Sequence, residues 1–164
     1  QWPVPDKDHP GTPILHEEEF KNGRGLFKII RYRDPAETIS DDFPVWLTTG
    51  RRLQSYHTRT QTGRAQGIDY LLAEESLEVH PDDIASWGLQ AGERCRLSSD
   101  RGSIEILVRA TTRSPRGTVF TSFSFNDVPV NILTGSGYDP ITDTAELKVC
   151  PVRVEPIGDS EAAG

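Results

Sequence analysis

The chain has 164 residues, of which 35% are apolar and 26% charged, and its net charge is −7. That length suits one domain with an arm and is enough to bury a core, and the composition lies above the disorder regime. The acidic balance argues against nucleic acid as a partner, because a phosphate backbone is held by Lys and Arg clustered over a broad face. No apolar run approaches the ~20 residues of a membrane-spanning helix, so no direct membrane insertion is expected. No secretory signal opens the chain. Methionine is absent even from position 1, and the chain is read as a piece of a longer protein or a processed one.

In chain order, residues 1–42 read as an arm and linker. WPVPDKDHPGTPILH is rich in proline and turn formers, GLFKIIRYR (25–33) is the one clear strand candidate, and DPAETISDD is polar. From Phe43 the punctuation becomes regular. The pattern predicts a strand at Val45–Thr48, then a basic loop, then a short helix over Ile68–Ala73 because Ile68, Leu71 and Leu72 share a face. Leu77–Val79 is a strand leading into His80-Pro81-Asp82-Asp83, where Pro81 suits the first helical position, two carboxylates face the positive helix end, and Gly88 suits the stop.

Cys95–Ser99 and Ser103–Ala110 flank Asp100-Arg101-Gly102 as a hairpin. Thr118–Phe125 alternates again, and KVCPVRVE (148–155) is the last strand, with Pro151 placing it at an edge or bulge. About six short strands with two short helices predict a mainly β fold, a closed β-barrel rather than an α/β sheet. Cys95 and Cys150 lie in strand-like patterns and read as buried free thiols, with a disulfide as the alternative.

The most informative stretch is TTGRRLQSYHTRTQTGRAQG (48–67), with Arg51, Arg52, Arg59 and Arg64 and no acidic residue. A cationic, hydroxyl-rich, glycine-punctuated loop after a strand suits an anion, with phosphate the expected one. Thr48, Thr49, Ser55, Thr58, Thr60 and Thr62 supply hydroxyls and Gly50 permits close backbone approach. The same residues also suit a solvated turn whose arginines offset an acidic neighbourhood. His9, His16, His57 and His80 show no metal-ligand spacing, and Ser55 with His57 lacks an orienting acid, so no metal and no catalytic residue is assigned. FSFNDVPVNILTGSGY (123–138) sets Asn126 and Asn131 among phenylalanines; Asn131 suits the edge of a heterocycle or the cap of a turn.

Three ordered motifs, LTTGRRLQSYHTRTQTGR, HPDDIASWGL and NILTGSGYDPITDTAELKVCPVRVE, resemble the C-terminal cofactor-binding domain of molybdopterin oxidoreductases. Within that superfamily ELKVCPVRVEP is most similar to formate dehydrogenase alpha (large) subunits. The resemblance implies a six-stranded double-psi β-barrel over 43–157 after an extended N-terminal arm (1–42), with 158–164 as a tail. It implies a bis(molybdopterin guanine dinucleotide) cofactor carrying molybdenum or tungsten.

By position, the resemblance puts Thr49, Gly50 and Arg51 at the phosphate or pterin end, with Tyr56, His57 and Thr58 continuing that wall. Phe123, Asn131 and Lys148 match the later contacts to the pterin and guanine parts. Ser55 stands where related enzymes carry His or another ring, and Gln61 where they often carry Met. The implied function is formate oxidation to CO2 by the parent subunit. Its other domains and electron-acceptor subunits would be partners, and any iron–sulfur cluster would lie in that remainder, in the cytoplasm or alternatively the periplasm. A nitrate reductase-type enzyme is the nearer alternative and a non-enzymatic double-psi adaptor the more distant one.

Overall fold

Alternation sets which side of each strand faces inward. In the computed structural model, which describes residues 3–158, β1 (Val45–Gly50) buries Val45, Leu47 and Thr49 and leaves the residues between them partly open. The same alternation turns Cys95 and Leu97 inward from β3 (Arg94–Ser99) and Ile104, Ile106 and Val108 from β4 (Gly102–Ala110). Val119 points in from β5 (Thr118–Ser122), and Cys150, Val152 and Val154 from β6 (Val149–Pro156). β2 (Ser76–Val79) is buried on both faces. Each strand gives the barrel at least one fully buried side chain, among them Leu47, Leu77, Leu97, Ile106, Val119 and Val152.

The strands close in the order β1-β5-β2-β4-β3-β6. β1 with β5 and β2 with β4 are parallel, and the remaining pairs are antiparallel. Closure removes the exposed edges that six short strands would otherwise present. The expected mainly β, closed six-stranded barrel is thus what the chain forms. Gly50 pairs with Ser122, Ser99 with Gly102 and Thr48 with Val149. The ends of β1, β3 and β5 therefore share one end of the barrel with the starts of β2, β4 and β6. The β1–β2 and β5–β6 connections both emerge there.

Pro151 lies opposite Trp46 of β1, while pairing of β6 with β3 begins only at Arg153. It occupies a stretch paired on one side, so its missing N–H costs no ladder bond, although β6 itself is not an edge strand. In α2 (Pro81–Ser86) His80 caps the first turn, its Nδ1 accepting from Asp82 N at 3.2 Å. Gly88, at φ +68°, ends it as a left-handed residue while Leu89 N donates to the Ile84 carbonyl. Asp83 is buried and accepts from Gly117 N at 2.7 Å, so it ties α2 to the turn before β5 as well as facing the helix start.

Three local expectations differ from the structure. Residues 25–33 form no strand: they lack a pairing partner, and Phe27, Ile29 and Ile30 are almost fully exposed. Alternation there is real, but a strand needs a neighbour. The predicted helix over 68–73 is a single turn, α1 (Gln66–Asp69), and Leu71 stays exposed. β5 stops at Ser122 because its hydroxyl accepts from Ser124 N and turns the chain.

The chain divides into two compact units, Gln1–Arg33 and Asp34–Gly164. In the first, Phe20 and Gly23 exchange a pair of backbone hydrogen bonds. Residues 34–42 of the expected arm pack with the barrel: Glu37 takes a bidentate pair from Arg101 at 2.8 Å, and Ala36 N donates to Glu146. The expected tail from 159 onward lies outside the described residues. Cys95 and Cys150 are buried free thiols, and burial pushes their pKa values up to about 12 and about 11.

Candidate functional site

Phe123 follows β5 directly, and its ring gathers three nitrogen groups from two distant connections. The Arg51 guanidinium carbon stands 5.9 Å and Lys148 Nζ 5.2 Å from the ring centroid, while His57 meets the ring edge-on at 5.5 Å. Strand register explains the meeting. Gly50 and Ser122 are paired neighbours, so Arg51 and Phe123 leave the barrel side by side, and Lys148 enters just before β6. Thr49 fastens the seam, its N–H donating to the Lys148 carbonyl at 3.0 Å and its hydroxyl to Leu147 O.

Gly50 is required by packing, since an added Cβ would lie 2.6 Å from Phe120 Cε2. The loop then passes through His57 and Arg59 at φ 51° and 61°, left-handed values uncommon for residues with side chains. Arg59 holds that conformation, stacking 4.0 Å over Phe125 and pairing with Asp69. Thr58 sits half-buried between these two residues. Tyr56 is exposed and its N–H donates to Thr62 Oγ1 at 3.2 Å. Asn131 is exposed in a 3-10 turn of the β5–β6 connection, and its carbonyl accepts from Thr134 Oγ1 at 2.9 Å.

All nine sequence-selected residues therefore belong to one end of the barrel. Arg51, His57 and Lys148 gather around the Phe123 ring, and Thr49 and Gly50 form the strand end beneath them; Tyr56, Thr58 and Asn131 share the end through their connections. The Ser55 hydroxyl is buried with no hydrogen-bond partner among the described residues.

The four loop arginines divide. Arg52 is buried and paired with Glu75 at 2.9 Å and Glu78 at 2.8 Å, and it donates to Ser76 O at 2.7 Å. Arg59 is committed to Asp69 and Phe125. Arg51 has no ion-pair partner among the described residues, nor has Arg64 or Lys148. The loop is thus part internal strut, with Arg52 and Arg59 offsetting carboxylates, and part free cation at Arg51 and Arg64.

Sequence reasoning passed over Glu75 and Ser122, which join Arg52 in a buried network: Ser122 Oγ donates to Glu75 Oε2. It also passed over Arg109 and Arg113, which with Arg51, Thr48 and Phe120 line a cleft of about 550 Å³. No spacing rule links these residues; only the barrel order brings them together.

The barrel closes in this order with unpaired cations gathered at its β1–β2 and β5–β6 connections. Residues 45–151 match the model of the Molydopterin dinucleotide binding domain family, and the chain belongs to that family. It is 41% identical over 159 residues to the F420-dependent formate dehydrogenase 2 subunit alpha of Methanococcus maripaludis, covering 96% of this chain and 24% of that protein. It is 32% identical over 161 residues to the assimilatory nitrate reductase catalytic subunit of Bacillus subtilis, covering 95% of this chain and 23% of that protein. The acetylene hydratase of Pelobacter acetylenicus shares the fold with a TM-score of 0.63 at 14% identity, over 77% of this chain and 21% of that one. The chain spans about a quarter of the length of the curated relatives it matches.

Proposed function

We propose that this chain is the cofactor-capping domain of a molybdenum or tungsten formate dehydrogenase large subunit. The observation that carries the reading is the unpaired Arg51 and Lys148 held with His57 around Phe123, in a chain that is otherwise strongly acidic. A pyrophosphate needs donors that no carboxylate has already neutralised, and these residues supply them. The unpartnered Ser55 hydroxyl adds a polar group suited to a ring edge. The donor set therefore fits a molybdopterin guanine dinucleotide.

When bound, that cofactor supplies the metal-centred redox chemistry of formate oxidation to CO2. This chain supplies binding and orientation. Arg51 and Lys148 offset phosphate charge, Thr49 and Gly50 set the backbone approach, and Tyr56, His57 and Thr58 continue the wall. Phe123 presents a ring face, and Asn131 an amide for the guanine or pterin edge. We assign no catalytic residue to it.

The remaining domains of the large subunit and its electron-acceptor subunits are the proposed partners, with any iron–sulfur cluster in that remainder. The F420-dependent formate dehydrogenases among the relatives favour F420 as the final acceptor, and a cytoplasmic setting accompanies that reading. The 32% identity to a nitrate reductase keeps that enzyme as the second reading.

The test is the full-length parent produced with molybdenum, assayed for cofactor content and for formate and nitrate turnover, as wild type, Arg51→Ala and Asn131→Ala. Formate activity with cofactor lost in both variants is expected. Nitrate activity would transfer the assignment to the second reading. Full cofactor in both variants would remove the site assignment.

A further inference from the structure

We infer that Glu75 is a positioning residue that aligns the two halves of the Phe123 cluster, a role that rests on the cofactor reading above. Its carboxylate is wholly buried, and its two oxygens serve different parts of the barrel end. Oε1 accepts from Arg52 Nε at 2.9 Å and from Ser76 N at 3.1 Å. Oε2 accepts from the Ser122 hydroxyl.

Each of those partners adjoins a cluster residue. Arg52 follows Arg51 in the chain. Ser122 precedes Phe123, and its oxygen also accepts from Ser124 N at 3.3 Å, so the ring-bearing residue is bracketed on both sides. One carboxylate thus fixes the backbone on the cation side through one oxygen and on the ring side through the other. Arg52 lies over Phe120 at 5.6 Å, which stiffens the first half further.

Charge balance alone does not explain the arrangement. Glu78 already pairs with the Arg52 guanidinium at 2.8 Å, so a second buried carboxylate is not needed to neutralise it. Burying an additional carboxylate is costly unless its lone pairs are filled by well-placed donors. The three donors around Glu75 meet that condition while linking β2 to both connections that form the proposed site. A residue of this kind acts as supporting partners do at metal centres, where their loss weakens binding by about 10–100-fold without removing a ligand.

The distinguishing variant is Glu75→Asp, which keeps the negative charge but shortens the reach to Ser122. In the full-length parent, Glu75→Asp is expected to keep a cooperative fold with a lowered melting temperature, because a buried carboxylate oxygen loses its donor. In the cofactor-free form, backbone amides of residues 50–58 and 122–126 are expected to exchange faster while the rest of the barrel is unchanged. Cofactor release from the loaded form is expected to quicken by about tenfold. A purely charge-neutralising role would be rescued by aspartate, so wild-type exchange and release in Glu75→Asp overturn the inference.

If Glu75→Asp does not fold, Ser122→Ala decides, with Ser122→Cys, which keeps an acceptor for Ser124 N, as its control: Ser122→Ala removes both ring-side hydrogen bonds and leaves the Arg52 side of Glu75 intact. Faster release then supports the role, and unchanged release overturns it. Arg51→Ala measured alongside separates the two readings. Cofactor lost from Arg51→Ala but held normally by Glu75→Asp refutes the positioning role alone, whereas cofactor held by both refutes the cofactor site as well.

Discussion

Arg51 and Lys148 approach the same aromatic ring from connections far apart in the sequence, with the guanidinium carbon 5.9 Å and Nζ 5.2 Å from the Phe123 centroid. Two like charges held near one ring repel each other in the absence of an anion. The ring face offsets part of that cost, by about 0.5–1 kcal/mol per exposed cation. The remaining positive potential is available to a phosphorylated ligand.

Lys148→Ala in the full-length parent is accordingly expected to lower cofactor occupancy several-fold, and Lys148→Arg to retain most of it. The check is molybdenum and released guanine nucleotide per mole of purified protein. Equal occupancy in all three proteins would show that the Phe123 cations do not hold the ligand.

The loop arginines are expected to separate by stability as they do by environment. Arg52→Ala leaves Glu75 buried without its cation and should cost about 3–5 kcal/mol. Arg64→Ala, at an exposed position, should stay within about 0.5 kcal/mol of wild type. Urea unfolding midpoints of the two variants measure the contrast, and similar midpoints would contradict the division into strut and free cation.

Gly50→Ala should destabilise the barrel by about 1–3 kcal/mol through overpacking, because the new methyl meets Phe120 Cε2 at 2.6 Å and Cζ at 3.0 Å. Much of that cost should disappear in a Phe120→Leu background. A double-mutant cycle by chemical denaturation reads the coupling, and simple additivity would show that the ring is not the obstacle.

Alkali should destabilise the fold through its thiols. Cys95 and Cys150 ionise near 9.0 when unfolded, whereas burial raises them to about 12 and about 11 in the native state. The native protein therefore holds these protons more tightly. Their contribution is fully present below about pH 9 and declines as pH rises through 11 and 12. The double variant Cys95→Ala, Cys150→Ala is expected to show a flatter alkaline limb in stability against pH. A thiol reagent should label wild type at neutral pH only after unfolding, and rapid native labelling would refute the burial argument.

Much of this architecture was legible residue by residue. Local patterns located all six strands within a few residues, the proline and glycine around residues 80–88 marked the short helix, and the ordered motifs pointed to the family. Where only local pattern was available, it misled. GLFKIIRYR alternates like a strand yet has no partner to pair with, and of Ile68, Leu71 and Leu72, which would share a helical face, the structure half-buries Ile68 and Leu72 and leaves Leu71 exposed.

The sequence by itself determined which side chains face the barrel interior and which connections carry the cations, because both follow from chain-local spacing. Only the tertiary structure decided which charges are free. Arg51 and Arg52 are adjacent and chemically identical, but β1 and β2 closing around the same barrel end bury Arg52 against Glu75 and Glu78 and leave Arg51 beside Phe123. Charge pairing depends on distance in space, and that distance is set by strand order and register rather than by position along the chain.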